Sequence, residues 1–323
     1  VSKEMSSERK KRTIPSTLAT ADDLKSFTNI SSNSFHESGK PGVVCVDLHP
    51  TDHKLAVTGG NDGNVLVFSR ETKKVAHSMK EHEDRINDVH FHPREPLVFS
   101  ASADKTAKVW NTKESSSSHT FTNHHDDVCS ITVHSTGDYV ATASADKTWA
   151  FHDIQSGKLL HTSHCDAAFN VARFHPDGAL FGSGNSDGVV RIWDVKTGKE
   201  AATFTGHSGK VFALDFSENG YYLATAGEDN TVRMWDLRKS ANFHTLDLSD
   251  SGSTVKALDF DHSGSYLAVA VGKEIRLYIG KTLGHITTLT KHTGIVNGVK
   301  WGEDAKFLAS VSQDKALKFW SQK

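Results

Sequence analysis

Histidine, aspartate and a hydroxyl side chain recur together along this sequence at fixed spacing. In four places a histidine lies 22 residues before an aspartate, and a serine or threonine lies four residues before the same aspartate; the sets are His82–Ser100–Asp104, His124–Thr142–Asp146, His207–Thr225–Asp229 and His292–Ser310–Asp314. The same residue types form the catalytic triad of hydrolases. Four copies exceed the need of one active site, and none of these hydroxyl residues lies in the G-x-S-x-G turn of such a nucleophile. We therefore expect no catalytic residue.

Tryptophan extends this pattern in a way that favours a structural role. It follows the aspartate, or the position equivalent to it, by six residues at Trp110, Trp193, Trp235 and Trp320. A buried carboxylate is costly unless donors satisfy it, and imidazole, hydroxyl and indole groups supply those donors. We predict one internal hydrogen-bond network per repeat. Four repeats depart from the set: the first has Phe68 and no histidine, the third has His152 for tryptophan, the fourth has Cys165 for histidine, and the sixth has Val269 at the hydroxyl position.

Other chemistries find little support in the residue spacing. His161-x-x-His164-Cys165 is the only cluster with tolerable spacing for zinc, and it has no second ligand pair. The glycine-rich run at 59–63 lies in a strand-to-strand turn with no helix after it, so it does not predict a phosphate site. We expect no metal ligand, no cofactor and no small-molecule substrate.

The elements that position these residues are short strands. Residues 211–216, 222–226 and 231–235 are apolar runs separated by Gly, Asn and Asp, which is typical of antiparallel strands. The Ser/Thr positions are spaced 42, 42, 41, 42, 44 and 41 residues apart, with Val269 at the sixth. A period near 42 with four strands per repeat indicates propeller blades. The sequence predicts an all-β protein with a seven-bladed β-propeller.

The two ends of the chain carry the domain boundaries. Residues 1–26 are polar, with a basic run at 9–12, and we interpret them as a linker; the basic run is a nuclear localisation signal or a solvated charge run. The propeller would span residues 27–323. Its last repeat ends at Trp320 without a fourth strand, and a closed ring requires complete blades. We predict that residues 27–37 supply that outer strand and close the ring.

Composition limits the class of partner and compartment. A net charge of −2 and a pI near 6.9 argue against a surface dedicated to nucleic acid. The three cysteines are odd in number and widely spaced, which favours reduced thiols in the nucleus or cytosol. No apolar run approaches the length needed to cross a bilayer.

Short motifs resemble two nested families. The dipeptides Gly206-His207, Trp193-Asp194 and Trp235-Asp236 are markers of the WD-repeat family, which the chain resembles from about residue 27 onward. The runs at 148–157, 174–178 and 217–239 are similar to the propeller of the U-box ubiquitin ligases of the spliceosomal nineteen complex, and Tyr278 in place of Trp fits them too.

That resemblance implies a nuclear propeller that recruits nineteen-complex proteins and ubiquitylation substrates during pre-mRNA splicing and spliceosome activation, and in the response to DNA damage. It also implies that this chain is a fragment: the U-box and the coiled coil that assembles tetramers in the family are not in this stretch. No catalytic residue is carried over, because the propeller is the recognition module of such a ligase.

Partner-binding candidates are the positions where a blade departs from its own repeat. Exposed aromatic and charged groups that the repeat does not require are plausible anchors for a partner, and the alternative that each repacks its own blade stays open. The candidates are Trp149 and His152, Phe169 and Asn170, and Lys273 and Glu274.

Two other protein classes compete with this interpretation. The run Trp235-Asp236-Leu237-Arg238 is similar to the motif with which some propellers dock on the adaptor of a cullin ligase. An RNA-contacting scaffold is the second, which the neutral net charge disfavours and a steep salt dependence of RNA affinity would support.

Overall fold

Seven small sheets arranged in a ring make up the protein. A computed structural model describes residues 13–36, 39–40 and 42–322, and in this part of the chain 28 strands form seven antiparallel sheets of four strands each. The seven-bladed β-propeller predicted from the repeat period is confirmed. None of the described helices is long and apolar enough to span a membrane.

Six blades are built from four consecutive strands. Blade 1 contains β2 (Val43–Leu48), β3 (Leu55–Gly60), β4 (Val65–Ser69) and β5 (Lys74–Met79); blade 2 contains β6 (Ile86–Phe91), β7 (Leu97–Ser102), β8 (Ala107–Asn111) and β9 (Ser116–Phe121); blade 3 contains β10 (Val128–Val133), β11 (Tyr139–Ser144), β12 (Thr148–Asp153) and β13 (Leu159–His164). Blade 4 contains β14 (Phe169–Phe174), β15 (Leu180–Asn185), β16 (Val190–Asp194) and β17 (Lys199–Phe204); blade 5 contains β18 (Val211–Phe216), β19 (Tyr222–Gly227), β20 (Thr231–Asp236) and β21 (Ala241–Asp247); blade 6 contains β22 (Val255–Phe260), β23 (Tyr266–Val271), β24 (Glu274–Ile279) and β25 (His285–Leu289).

The hydrophobic core is divided among the spaces between neighbouring blades. A four-stranded sheet cannot bury both its faces alone, so each blade packs against the next. The cluster between blades 4 and 5, for example, joins Val190 with Leu214 and Trp235. The first strand of each blade lines a central channel, and the turns on its two sides form two faces. The face where these innermost strands begin is called the loop face below, and the opposite one the turn face.

The seventh blade is completed from the other end of the chain. It contains β26 (Val296–Trp301), β27 (Phe307–Ser312) and β28 (Leu317–Ser321), and its outer strand is β1 (Thr28–Asn33). β1 pairs antiparallel with β28 from Thr28↔Ser321 to Asn33↔Leu317. The closing strand therefore lies within the predicted range 27–37, of which residue 37 is outside the described residues.

The linker assigned to residues 1–26 is too long, because its last part packs on the ring. The helix α1 (Ala21–Lys25) starts with a capping box in which Thr20 and Asp23 satisfy each other's backbone N–H groups. Leu24 is fully buried between blades 6 and 7, and the Tyr266 hydroxyl donates to the Ala19 carbonyl at 2.8 Å. Burial of Leu24 compensates for ordering this short segment. Residues 1–12, with the basic run, lie outside the described part.

Candidate protein-interaction site at the channel mouth

Blade 5 shows the complete hydrogen-bond network. His207 Nδ1 lies 3.0 Å from Asp229, and its Nε2 lies 2.8 Å from Thr225 Oγ1. Trp235 Nε1 donates to the same hydroxyl at 2.8 Å. Since the carboxylate can only accept, Nδ1 carries the imidazole proton and donates it to Asp229, and Nε2 of the neutral ring accepts from the Thr225 hydroxyl. The same arrangement joins the corresponding residues of blade 2 (His82, Ser100, Asp104, Trp110) and blade 7 (His292, Ser310, Asp314, Trp320).

Burial and hydrogen bonds together set the charges in this network. Burial lowers the pKa of His207, and the neighbouring Asp229 only partly offsets that effect. Burial acts in the opposite direction on Asp229, yet the hydrogen bond from His207 holds the pKa of this carboxyl below its usual value. A neutral imidazole therefore donates to a charged carboxylate. Every strong donor and acceptor is used inside the blade, which is a structural arrangement rather than a reactive one.

Blade 3 keeps the histidine and replaces the tryptophan. His124 Nδ1 lies 3.1 Å from Asp146, and its Nε2 lies 2.7 Å from Thr142 Oγ1. His152 occupies the tryptophan position, stacks on Phe121 at 4.0 Å, and approaches the Thr142 hydroxyl only to 3.4 Å. Burial lowers the pKa of His152 to about 3, so the ring is neutral.

Blade 1 has a histidine after all, which the sequence interpretation missed. His36 Nδ1 lies 2.9 Å from Asp62, and its Nε2 lies 3.0 Å from Thr58 Oγ1. The histidine precedes the aspartate by 26 residues instead of 22, because the connection into the first blade is longer. The sequence signal that could have revealed His36 was the pair Thr58 and Asp62, because the carboxylate of such a pair needs a nearby hydrogen-bond donor.

Blade 4 satisfies its polar groups differently. Cys165 stands at the histidine position. Asn185, at the end of β15, joins this strand to the segment before β14 by donating to the carbonyls of Ala167 and Ala168 at 3.4 and 3.3 Å. Asp187 turns outward and binds Arg191 at 2.7 Å. Trp193 Nε1 still donates to Ser183 Oγ at 3.0 Å. This blade therefore has its carboxylate at the surface. His161 of the neighbouring blade, part of the rejected zinc cluster, lies 2.8 Å from Ser163.

A belt of mostly charged side chains lines the channel. It consists of the fifth residue of each innermost strand, Asp47, His90, Thr132, Arg173, Asp215, Asp259 and Lys300, joined by Asp88. Arg173 reaches from blade 4 to Asp88 of blade 2 at 2.7 Å, and Lys300 binds Asp259 at 2.6 Å. Asp215 has no ion-pair partner among the described residues and accepts the Phe260 N–H at 2.8 Å.

The pKa values within the belt differ accordingly. Burial opposes the charge of Asp88, yet Arg173 and His90 hold the pKa of this carboxyl well below its usual range. Burial and the nearby Asp259 raise the pKa of Asp215 to about 6. Burial raises the pKa of Asp259 too, although Lys300 opposes this effect. Four carboxylates thus face two permanent cations and His90, and Asp215 is the one without an ion-pair contact among the described residues.

The loop-face mouth of the channel is the best candidate for binding a partner. It is ringed by the second residue of each innermost strand, Val44, Asn87, Cys129, Asn170, Phe212, Lys256 and Asn297, around a cavity of about 130 Å³. Lys256 Nζ lies 4.2 Å from the centre of the Phe212 ring, and both side chains are partly exposed.

Asn170 differs from the two other amides of this ring. Asn87 Nδ2 donates to the Val128 carbonyl at 2.9 Å, and Asn297 Nδ2 donates to the Val43 carbonyl at 2.8 Å, each across to the next blade. Asn170 Nδ2 is buried and has no acceptor among the described residues. A buried donor without a partner is costly, so Asn170 needs an acceptor from outside the described residues.

Three other predicted anchors are buried and do not face partners. Trp149 and Phe169 are fully buried and His152 is 1% exposed. Trp149 stacks on Phe181 at 5.0 Å in the core between blades 3 and 4. Their positions in the strand repeat explain this, since Trp149 aligns with the buried Val232 and Phe169 with the buried Val211. The structure therefore contradicts an exposed-anchor role for these residues.

The remaining candidates lie at a turn on the loop face. Lys273 is exposed, and Glu274 Oε2 lies 3.3 Å from Arg276 Nε. Arg238, the key residue of the cullin-adaptor alternative, forms a two-point ion pair with Asp236 at 2.7 and 3.0 Å and lies over the Tyr221 ring. Its guanidinium is therefore already bound within its own blade.

Comparison with known proteins adds an identity to this geometry. The family model described as the Prp19 WD40 domain matches residues 35–314. The chain is similar to pre-mRNA-processing factor 19 of Oryza sativa subsp. japonica and of Homo sapiens, at 42% identity over 98% of the chain and 62% and 64% of those proteins. It is 38% identical to the Caenorhabditis elegans protein over 99% of the chain. The chain spans less than two thirds of the length of these relatives. The repeat period, the seven-bladed ring and these comparisons all show that the chain belongs to the Prp19 WD40 domain family.

Proposed function

We propose that this propeller recognises other proteins during pre-mRNA splicing, and that the loop-face mouth of the channel holds a segment of the partner. The observation that carries the proposal is Asn170, whose buried N–H groups have no acceptor in the ring of otherwise bonded amides. The similarity to pre-mRNA-processing factors supports the assignment to this process.

The chemistry of this mouth suits a peptide. Asn170 would donate to a backbone carbonyl of the peptide, because its side-chain amide carries two N–H donors. Phe212 offers an apolar face beside the Lys256 ammonium, and a few residues near the centre of an interface dominate its binding energy. Lys273 and Glu274 would contact the partner at the rim. The partners we propose are proteins of the spliceosomal nineteen complex.

A capture experiment tests this function. The 323-residue chain is immobilised, incubated with nuclear extract, and the captured pre-mRNA-processing proteins are quantified by mass spectrometry. The control is Lys196→Ala, an exposed change in blade 4. We expect the amount of captured protein to fall at least about ten times as much in the Phe212→Ala/Asn170→Ala variant as in this control. Capture that is unchanged in a variant with a normal melting curve would refute the channel-mouth site, and capture of no splicing protein by the unmodified chain would refute the function.

We further propose that the chain is the recognition module of a longer nuclear U-box ubiquitin ligase, with the role in DNA repair that the family resemblance implies. The chain itself would carry no catalytic residue, and ubiquitylation substrates would bind its propeller. In a reconstituted reaction, the full-length protein should modify both itself and a captured partner, whereas a form without residues 13–323 should modify only itself. A full-length protein without ligase activity would contradict this assignment.

A further inference from the structure

A second groove lies on the outer rim of the turn face, where the ring is closed. We name it the closure groove; it runs between β1 of blade 7 and the turns of blade 1, and has a volume of about 450 Å³. Its walls include Ile30 on β1 and Lys54, Arg70, Glu71 and Lys73 of blade 1. Ile30 is 46% exposed, although most residues of its size are buried in this fold. The groove therefore combines an apolar wall with a charged one.

Arg70 is held in place with most of its donors unused. Its guanidinium lies 3.8 Å above the Phe307 ring and 4.7 Å from that of Phe319. Nη1 donates to the His53 carbonyl at 2.9 Å, which is its one side-chain hydrogen bond among the described residues. A planar guanidinium fixed on aromatic rings loses little entropy when it binds a carboxylate at two points. Arg70 is thus ordered before any anion arrives.

The charge around Arg70 is positive. Lys54, Arg70 and Lys73 supply three cations, and Glu71, 2.9 Å from Lys54, supplies one carboxylate, so the walls carry a net charge of +2. His53 on the same wall lies 3.3 Å from Glu303.

Two other peripheral grooves have the opposite character. The groove between blades 2 and 3 is lined by Glu95, Asp138 and Asp153 and contains no lysine or arginine. The groove between blades 5 and 6 has Asp247, Asp250 and Glu274 around Arg276. The positive charge therefore belongs to the closure groove and not to inter-blade grooves in general.

We propose that the closure groove binds a short acidic peptide of a partner protein, with a peptide carboxylate on Arg70 and an apolar peptide side chain against Ile30. The proposal rests on the proposed function in protein recognition and adds a second site with a defined ligand class. Ile30 favours a peptide over RNA, because it offers a contact to an aliphatic side chain and none to a phosphate. The outer edge of β1 pairs with no other described strand, so an extended peptide also finds free backbone groups there.

Fluorescence anisotropy with a labelled peptide of alternating aspartate and leucine tests this site on the 323-residue chain. We expect Arg70→Gln to weaken binding about tenfold, because it removes a charge-assisted two-point contact, with partial recovery in Arg70→Lys. Lys54→Gln/Lys73→Gln, two exposed changes that leave the aromatic packing untouched, should weaken it by a smaller factor. Asp138→Asn, in the acidic groove between blades 2 and 3, is the matched control and should leave affinity unchanged.

Two results would overturn the proposal. One is equal affinity of the chain and both groove variants for the aspartate–leucine peptide. The other is binding of single-stranded oligouridylate, or of the same peptide with lysine for aspartate, as tightly as the acidic peptide. These outcomes can be distinguished from those of the capture experiment, because the channel mouth lies on the opposite face of the ring. If capture is normal and depends on Phe212 while the acidic peptide does not bind, the closure-groove proposal alone is refuted.

Discussion

The blade networks and the channel belt both bury polar side chains, but they balance charge over different distances. In blade 5 the carboxylate of Asp229 receives its donors from His207 and Thr231 of the same blade. In the belt, Arg173 of blade 4 reaches across to Asp88 of blade 2. Asp215 lies in the same belt with no ion-pair partner among the described residues.

This difference separates stability within a blade from stability of the ring. A local network satisfies each group it buries, and so it favours folding of its own blade. The belt connects different blades, including blades 2 and 4, which are not neighbours. It leaves Asp215 with a cost, since a buried charge without a partner is unfavourable. The two regions should therefore respond oppositely to mutation and to acid.

The largest effect should follow removal of the network carboxylate. Asp229→Ala leaves His207, the Ser208 N–H and the Thr231 N–H without an acceptor, so we expect a loss of about 3 kcal/mol in unfolding free energy by urea denaturation. The matched change in blade 4, Asp187→Ala, should cost less than about 1 kcal/mol, because the Asp187 side chain is 35% exposed and its ion pair is at the surface. Equal losses would show that the blade 4 carboxylate is as important as that of blade 5.

An intermediate effect of opposite sign is expected in the belt. Asp215→Asn keeps an oxygen for the Phe260 N–H and removes the unpaired charge, so it should stabilise the protein by about 1 to 3 kcal/mol near pH 7.5. Because the pKa of Asp215 is raised to about 6, the unmodified protein takes up this proton as the pH falls through about 6 and gains stability relative to the unfolded chain, whose pKa is lower. The advantage of the variant should therefore shrink as the pH falls below about 6 and vanish only near about pH 4, the ordinary pKa of an aspartate.

Asp259→Asn is the matched control for this experiment. It removes the ion-pair partner of Lys300, and should destabilise the protein, because it leaves a partly buried ammonium without its carboxylate. Urea denaturation at several pH values checks both variants. Stabilisation by both, or by neither, would contradict the assignment of the excess charge to Asp215.

The smallest effect concerns the imidazole itself. His207→Gln should cost about 1 kcal/mol at neutral pH through weaker hydrogen bonds. Since burial lowers the pKa of His207, the unfolded chain binds this proton more readily, and the unmodified protein loses stability as the pH falls through the ordinary histidine range. The deficit of the variant should shrink between about pH 7 and pH 5 in thermal melts. A deficit that grows in acid would mean that the network holds a charged histidine.

The regular parts of the fold could be predicted because they repeat. A fixed period sets the number of blades, and the missing fourth strand after Trp320 requires a replacement, which β1 supplies. His36 could not be found from spacing, because a longer connection shifts it to 26 residues before Asp62. The helix that buries Leu24 is too short to show a periodic hydrophobic pattern, and its sequence signal is the capping pair Thr20 and Asp23.

The candidate site was less accessible to sequence reasoning. A departure from the repeat indicates a changed environment without telling whether the side chain is exposed; Trp149 and Phe169 fill core positions. Aligning each strand residue by residue would have identified them, since their counterparts in other blades are buried. Phe212 and Asn170 share the second strand position, which faces the channel mouth, and only the geometry shows that Asn170 lacks an acceptor.

The pairing of β1 with β28 has a consequence for synthesis. The chain leaves the ribosome N-terminus first, so Thr28 emerges long before Ser321, its partner in the finished sheet. Until the last strand is made, the growing protein is an open arc with two unpaired sheet edges, and such edges attract other chains. A product truncated before β28 is thus marked as unfinished by its own exposed edge, which a chaperone or protease can recognise without reading the sequence.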